Sequence, residues 1–306
     1  MIRARELLAE MLASRLLGEA ASWLERARRE IAGGVEAGRF SELVSVASRR
    51  ASRNAKGRGL APSRAEIERA SAASPGWNPE RWTLLEGARA LLLLSRADLA
   101  EPTAALALEE AFRYADVGEM CALHRALQFL PEPRRFLWRA GEGCRSSIRA
   151  VYEAAACDTG YPARSFDDLA WRQLVIKALF VEAPLWRVHG LDERLDPELA
   201  RMALDLAEER RSAGRPVQHE LWLCLGRHAG ERGRAAIERE LAGSHTLGRC
   251  AAAVALARAG AVDRLAELLR AERDPVVART MQGALEGRSG QSVFRDLDPT
   301  LQKVQA

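Results

Sequence analysis

Three polar side chains in the middle of the chain are of the types that hold an anion in a protein: Arg145, Gln173 and Lys177. Two cations and an amide can together bind a carboxylate or a phosphate. Tyr161 and Trp171 are near them in the sequence and can hold the apolar body of a ligand. These residues predict a ligand pocket. A structural alternative stays open, in which the arginine is ion-paired and the lysine extends from a buried helix to solvent.

Asp192 follows Gly190 in a predicted loop before a helix, and it completes the predicted set of ligand-binding residues. A carboxylate in such a loop can bind a ligand or form an ion-paired corner. The sequence leaves both interpretations open.

A second candidate is a basic, glycine-bearing tract that follows a predicted helix. Its cations are Arg49, Arg50, Arg53, Lys56 and Arg58. We predict a mobile loop that can hold an anionic partner such as phosphate, nucleic acid or lipid headgroups. The alternative is a solvated connector.

No metal or cofactor is predicted. Cys224 and His228 are four residues apart, but no third ligand has a defined spacing, and no phosphate-binding glycine motif occurs. The five cysteines are widely spaced and form no CxxC pair. We therefore predict buried free thiols in a reducing compartment.

Composition predicts an all-α fold, because Ala, Leu, Arg and Glu dominate the 306 residues and all four favour helices. The 46 basic and 42 acidic residues nearly balance, which argues against a dedicated nucleic-acid binder. Charges interrupt any apolar segment at the amino end, and the longest aliphatic run is Leu91 to Leu94. We predict a cytoplasmic protein with no membrane span, for which peripheral membrane association is possible.

Four helices are predicted around these candidates. The first thirty residues form one amphipathic helix that ends at Gly33-Gly34, and a core helix runs from about Glu80 to Arg96. One helix near Gly143 to Ala156 carries Arg145 and buries its apolar side. The next helix begins at Ser165 in a capping box with Asp168 and is apolar nearly all round.

Another helix is predicted to begin at Asp196-Pro197, an N-cap followed by proline in the first turn. After residue 229 the pattern changes to short helical pairs with a period near 28 residues. This predicts HEAT-like (ARM-type) repeats in a right-handed α-α superhelix without a β-sheet. The predicted divisions are 1–60, N-terminal helices and basic loop; 61–228, helical core; 229–288, HEAT-like pairs; and 289–306, a flexible tail.

Motifs between about Pro75 and Ala259 resemble the EboA family, most strongly from Glu142 to Trp222. The matching strings are Pro75-Gly76-Trp77, Leu91-Leu92-Leu93-Leu94-Ser95, Glu142-Gly143, Tyr161-Pro162, Trp171 with Lys177-Ala178-Leu179-Phe180, Gly190-Leu191-Asp192, Pro197-Glu198-Leu199-Ala200-Arg201-Met202, Ala213-Gly214-Arg215-Pro216 and Glu220-Leu221-Trp222. Each string is short, and together they are specific. The resemblance implies a role in making or moving a secondary metabolite, with export of a pigment precursor the best-known setting.

Three departures from the family pattern indicate a divergent member. Arg172 stands where the family has Asn, Glu208-Glu209-Arg210 replaces His-Glu-Arg, and Thr159-Gly160-Tyr161-Pro162 replaces Asn-Pro-Tyr-Pro. The resemblance transfers no catalytic residue to this chain.

These observations lead to three hypotheses of function. The first is a non-catalytic accessory or scaffold protein of a secondary-metabolite pathway that binds a partner enzyme or a metabolite intermediate. The second is an enzyme that acts on a small anionic or prenylated intermediate through Arg145, Gln173 and Lys177. The third is a HEAT-like nucleic-acid-binding protein, which requires a concave basic surface.

Overall fold

The computed structural model describes residues 2–50 and 58–297. Within them the chain is helical and has no sheet; an isolated antiparallel bridge joins Gly59 and Thr83. The predicted all-α class is confirmed. Over the same residues, every helix is too short or too polar to cross a bilayer. The chain divides into two units, Met1–Trp171 and Arg172–Ala306.

The first unit is a set of short helices packed on each other. In chain order they are α1 (Ile2–Ala13), α2 (Gly18–Ala32), α3 (Ala37–Arg50), α4 (Arg64–Ala73), α5 (Leu84–Leu94), α6 (Pro102–Tyr114), α7 (Val117–Ala126), α8 (Leu137–Arg145), α9 (Arg149–Ala156) and α10 (Tyr161–Ser165). The next helix, α11 (Asp168–Val181), contains the division between the units.

The centre of the first unit is α5, which lies within the predicted core helix. Thr83 and Glu86 form a reciprocal capping box that fixes its start, and all residues from Gly87 to Leu94 are buried. It packs against α1, α2, α3 and α7. The prediction of a core helix here is confirmed.

The predicted single helix over the first thirty residues is wrong, because α1 ends at Ala13 and α2 begins at Gly18. Two side chains bond the Met11 carbonyl at the end of α1: the Ser14 hydroxyl at 3.0 Å and the Arg15 guanidinium at 2.8 Å. Gly18 then takes a left-handed φ of +60°, which turns the chain into α2.

The predicted helix near Gly143 to Ala156 is also two helices, because α8 ends at Arg145 and α9 begins at Arg149. The Ser146 hydroxyl accepts the Ile148 amide at 3.1 Å and holds the turn between them. Ile148 is 47% exposed, so it does not belong to the buried side as predicted.

The predicted cap of α11 is wrong by two residues. Ser165 ends α10, and Asp167 caps α11 by accepting the Ala170 amide at 2.8 Å. The residues of α11 are apolar nearly all round, but the helix is not buried all round, because Leu169 is 62% and Phe180 57% exposed. Its buried residues are Trp171, Leu174, Val175, Ala178 and Leu179.

The second unit continues with α12 (Pro197–Ser212), α13 (Gly230–Leu241), α14 (Thr246–Arg258), α15 (Val262–Ala271) and α16 (Pro275–Leu285). Asp196 caps α12 through the Leu199 amide at 2.8 Å, which confirms the predicted start. The four helices from α13 to α16 fall where short helical pairs are predicted. Residues Gln291–Arg295 form a 3-10 helix in which Phe294 is fully buried.

Candidate functional site

The predicted pocket residues of the first unit have different environments. Arg145 is exposed, and its guanidinium carbon lies 5.5 Å from the ring centre of the exposed Trp138. Tyr161 and Trp171 are buried. The Tyr161 hydroxyl donates a hydrogen bond to the Pro133 carbonyl, and burial raises the pKa of this phenol well above its usual value. The tyrosine therefore anchors a loop, whereas the arginine faces solvent.

The predicted residues of the second unit differ in the same way. Gln173 is exposed and Lys177 is half-buried on the same side of α11. Asp192 accepts hydrogen bonds from Arg258 at 2.5 Å and from the Gln291 amide at 3.0 Å. Of the two interpretations of Asp192 that the sequence leaves open, these contacts match the ion-paired corner.

The side chains of Glu220 and Gln291 hold the backbone of residues 185–188, which comes shortly before Asp192 in the chain. The carboxylate of Glu220 is buried and accepts the amides of Leu185 at 3.0 Å and Trp186 at 3.4 Å. The side-chain amide of Gln291 donates to the carbonyls of Leu185, Trp186 and Val188. The motif Glu220-Leu221-Trp222 thus supplies a buried acceptor that positions backbone.

Two motif loops of the first unit meet at one backbone contact. A Cβ on Gly160 would lie 2.0 Å from the Pro75 carbonyl oxygen, so a side chain does not fit there. Arg164 donates to the same carbonyl at 3.0 Å, and the Asn78 amide donates to the Asp158 carbonyl at 3.1 Å. These motifs, distant in sequence, form one packed corner.

Buried charges of the first unit are paired inside the helical core. Arg89 is 2% exposed, bonds the Val44 carbonyl at 3.1 Å and pairs with Glu119 at 3.2 Å. Arg125 pairs with Glu86 at 3.1 Å. Burial lowers the pKa of Arg89, and the carboxylate of Glu119 opposes that effect. These pairs tie α5 to α7 and leave little capacity for a ligand.

The cysteine thiols and the imidazole of His124 are shielded from solvent. All five cysteines are free and buried, as predicted for their thiols. Burial raises the pKa of Cys121 to about 11 and of Cys224 to about 12, so both are protonated thiols at neutral pH. Burial lowers the pKa of His124 to about 4. Among the described residues, three or more His, Cys, Asp or Glu side chains do not gather where a metal ion could be held.

The second unit has a cleft of about 720 Å³ in which two of the three arginines are ion-paired. Arg249 pairs with the buried carboxylate of Glu272, and Arg264 pairs with Glu238 at 3.2 Å. The floor is apolar, with Leu241 and Met281 among its lining residues. Arg273 also lines this cleft, and the three carboxylates of the lining balance its three arginines, so the cleft has no excess of positive charge.

A larger groove of about 1420 Å³ lies along α2 and α3 in the first unit. The short connection after Ala32 makes the two helices antiparallel neighbours. Arg39 fixes this hairpin with bonds to Glu30 at 2.7 and 3.2 Å and to Glu42 at 2.7 Å. These hydrogen bonds raise the pKa of Arg39 and lower that of Glu30.

The groove combines an apolar middle with arginines at both ends. Its lining residues are Leu17, Gly18, Glu19, Ala20, Ser22, Trp23, Arg26, Arg39, Glu42, Leu43, Val46, Arg49 and Arg50. Arg26, Arg49 and Arg50 are exposed, and no described carboxylate forms an ion pair with them. This groove therefore offers uncompensated guanidinium groups beside an aromatic ring, a combination suited to an anion that carries an apolar part.

Part of the predicted basic tract contributes to this groove. Arg49 and Arg50 line it, whereas Arg58 is exposed and its carbonyl accepts the Leu84 amide at 3.0 Å. Arg53 and Lys56 lie outside the described residues. Sequence reasoning missed Trp23 and Arg26, although their spacing of three on an amphipathic helix places them on one face.

The fold and the groove define an all-α protein of packed helical hairpins that carries an arginine-lined surface groove. The chain belongs to the EboA family: the model described as "Metabolite traffic protein EboA" matches residues 4–226. The match includes the groove and ends before α13. Searches of curated proteins and of solved structures returned no match.

Proposed function

We propose that this chain is a non-catalytic accessory protein of a metabolite pathway that binds an anionic intermediate in the α2–α3 groove. The observation that carries the proposal is the presence of Arg26, Arg49 and Arg50 in a groove, each without a carboxylate partner among the described residues. Guanidinium groups bind carboxylates and phosphates in a planar, two-pronged geometry.

Two further observations support binding without conversion. The five thiols are buried, and the imidazole of His124 is buried with a lowered pKa. The family description also concerns traffic of a metabolite, which fits a carrier or accessory role. The same proposal includes a partner enzyme, to which this protein delivers the bound metabolite.

Mass spectrometry of small molecules retained by the purified protein tests this function. We expect an anionic compound from the wild type and its loss from Arg49→Gln/Arg50→Gln. Arg113→Gln/Arg134→Gln is the matched control, because these exposed arginines of the same unit lie outside the groove. If the wild type retains no anion, or if R49Q/R50Q retains the same compounds, the proposal is wrong.

The predicted pocket of Arg145, Gln173 and Lys177 remains a separate prediction for an enzymatic role. Lys177→Met tests it through metabolite output and protein stability. Loss of output in a fully folded K177M variant would favour the enzyme. Unchanged output, or a loss that unfolding explains, would remove these residues from the site.

We also propose that α13 to α16 stack as HEAT-like pairs of a right-handed superhelix. Contacts of α13 with α14, of α15 with α16 and of α14 with α16 support this arrangement. An experimental structure in which the two pairs are not related by a regular right-handed rotation would contradict it.

A further inference from the structure

The α2–α3 groove differs in charge between its two ends. Because the helices are antiparallel, Leu17 and Gly18 lie at the end that holds Arg49 and Arg50. Glu19 is the carboxylate that lines this end, so one positive charge remains there. The opposite partial charges of the α2 N-terminus and the α3 C-terminus largely offset each other, so the two guanidinium groups decide the local potential.

The other end carries no such excess. Arg39 is paired with both Glu30 and Glu42, whereas Arg26 has no ion pair among the described residues. The two carboxylates and the two guanidinium groups still sum to zero net charge at this end. Between the ends, the half-buried Trp23 and Val46 form the apolar middle above the buried Leu43. Arg39 and Arg50 are about 16 Å apart along the axis of α3, given a rise of about 1.5 Å per residue.

We propose that the groove binds a single amphiphile with a phosphate or diphosphate headgroup, the headgroup at Arg49 and Arg50 and the apolar chain along Trp23. This inference rests on the proposed function and names its class of ligand. Phosphate fits the paired guanidinium groups, and the indole ring with its aliphatic neighbours removes a hydrocarbon chain from water. The exposed Leu17 extends the apolar surface beside the headgroup.

Monoalkyl phosphates of increasing chain length, used below their micelle concentrations, provide the test. Calorimetry should show tighter binding from butyl to octyl to dodecyl phosphate, with a plateau once the apolar middle is covered. Inorganic phosphate and a neutral alkyl glucoside should bind far more weakly. The R49Q/R50Q variant should bind dodecyl phosphate about tenfold more weakly, or weaker still, whereas R113Q/R134Q should bind it with unchanged affinity.

Trp23→Leu separates this inference from the proposed function. It should reduce the gain from a longer chain while binding of butyl phosphate stays unchanged, and circular dichroism verifies its fold. If alkyl phosphates of all lengths bind equally tightly and their binding still requires Arg49 and Arg50, the inference of an amphiphilic ligand is wrong, but the proposed binding of an anion stands. If the arginine changes have no effect on any anion, both proposals are wrong.

Vesicles distinguish the two sources of such a ligand. Phosphatidylcholine vesicles with and without phosphatidic acid are compared by co-sedimentation. Binding of monomeric alkyl phosphate without vesicle binding supports the inference with a free metabolite as the ligand. Vesicle binding that requires phosphatidic acid, Arg49 and Arg50 supports it with a membrane lipid as the source. Equal binding to neutral vesicles would contradict the headgroup assignment.

Discussion

The imidazole of His124 on α7 packs against the backbone of Gly143 on α8. A Cβ on Gly143 would lie 2.6 Å from Cε1 and 2.8 Å from Nε2 of His124, and 2.7 Å from the Cβ of Ala155. The ring also lies 4.9 Å from that of Phe112. The glycine of the Glu142-Gly143 motif is thus required by packing.

Stability should fall as the pH decreases through the titration of His124. Burial and the nearby Arg139 lower its pKa from 6.5 to about 4. The unfolded chain therefore binds the proton first, and stability present above about pH 6.5 is lost as the pH falls toward 4. We expect a loss of about 3 kcal/mol between pH 7 and pH 4 from this group, measured by urea unfolding.

The His124→Gln variant isolates this contribution from the carboxylates. The difference in unfolding free energy between wild type and variant should change most between pH 6.5 and pH 4.5. A constant difference across that range would show that the imidazole is not responsible.

Gly160→Ala should destabilise the corner formed by the two motif loops. The added methyl group would lie 2.0 Å from the Pro75 carbonyl oxygen, so backbone must move. We expect a loss of about 3 kcal/mol in the free energy of unfolding. Gly38→Ala is the matched control, because its Cβ meets nothing within 4 Å and its cost should be within about 0.5 kcal/mol. Equal stabilities of the two variants would refute the contact.

Glu220→Gln should destabilise the second unit although it changes the shape of the side chain little. The carboxylate accepts two backbone amides, and an amide side chain can accept only through one oxygen. One buried donor then lacks a partner, at a cost of about 1–3 kcal/mol. The exposed Glu209 supplies the control Glu209→Gln, which should be neutral in the same chemical denaturation. A neutral E220Q would disprove this role.

The native protein should react slowly with a thiol reagent such as Ellman's reagent at pH 8. All five cysteines are buried, and burial raises the pKa of Cys121, Cys144, Cys224 and Cys250. Only the thiolate attacks the reagent, so the rate should rise sharply when guanidinium chloride unfolds the chain. Rapid labelling of even one thiol in the native protein would contradict this expectation.

The sequence predicted elements whose signals are local. The start of α12 follows from an aspartate cap and a proline, and the burial of α5 follows from a run of leucines. The break at Gly18 was missed because it depends on side chains of Ser14 and Arg15 that bond a carbonyl of the preceding turn. A periodic pattern does not reveal such bonds.

The groove was predictable only in part. The basic tract indicated Arg49 and Arg50, but the antiparallel pairing of α2 with α3 brings Trp23 and Arg26 to them. Which arginines lack a carboxylate also depends on the tertiary structure. Arg39 resembles Arg49 in the sequence, yet two glutamates neutralise it in the fold.

The close approach of Gly160 to the Pro75 carbonyl couples the evolution of two distant loops. A side chain at position 160 fits only if the Pro75 loop lies farther away, so the two loops should covary among relatives. Exchanging one loop alone with that of a relative that has a side chain at this position should give poorly folding chimeras, and exchanging both should restore folding.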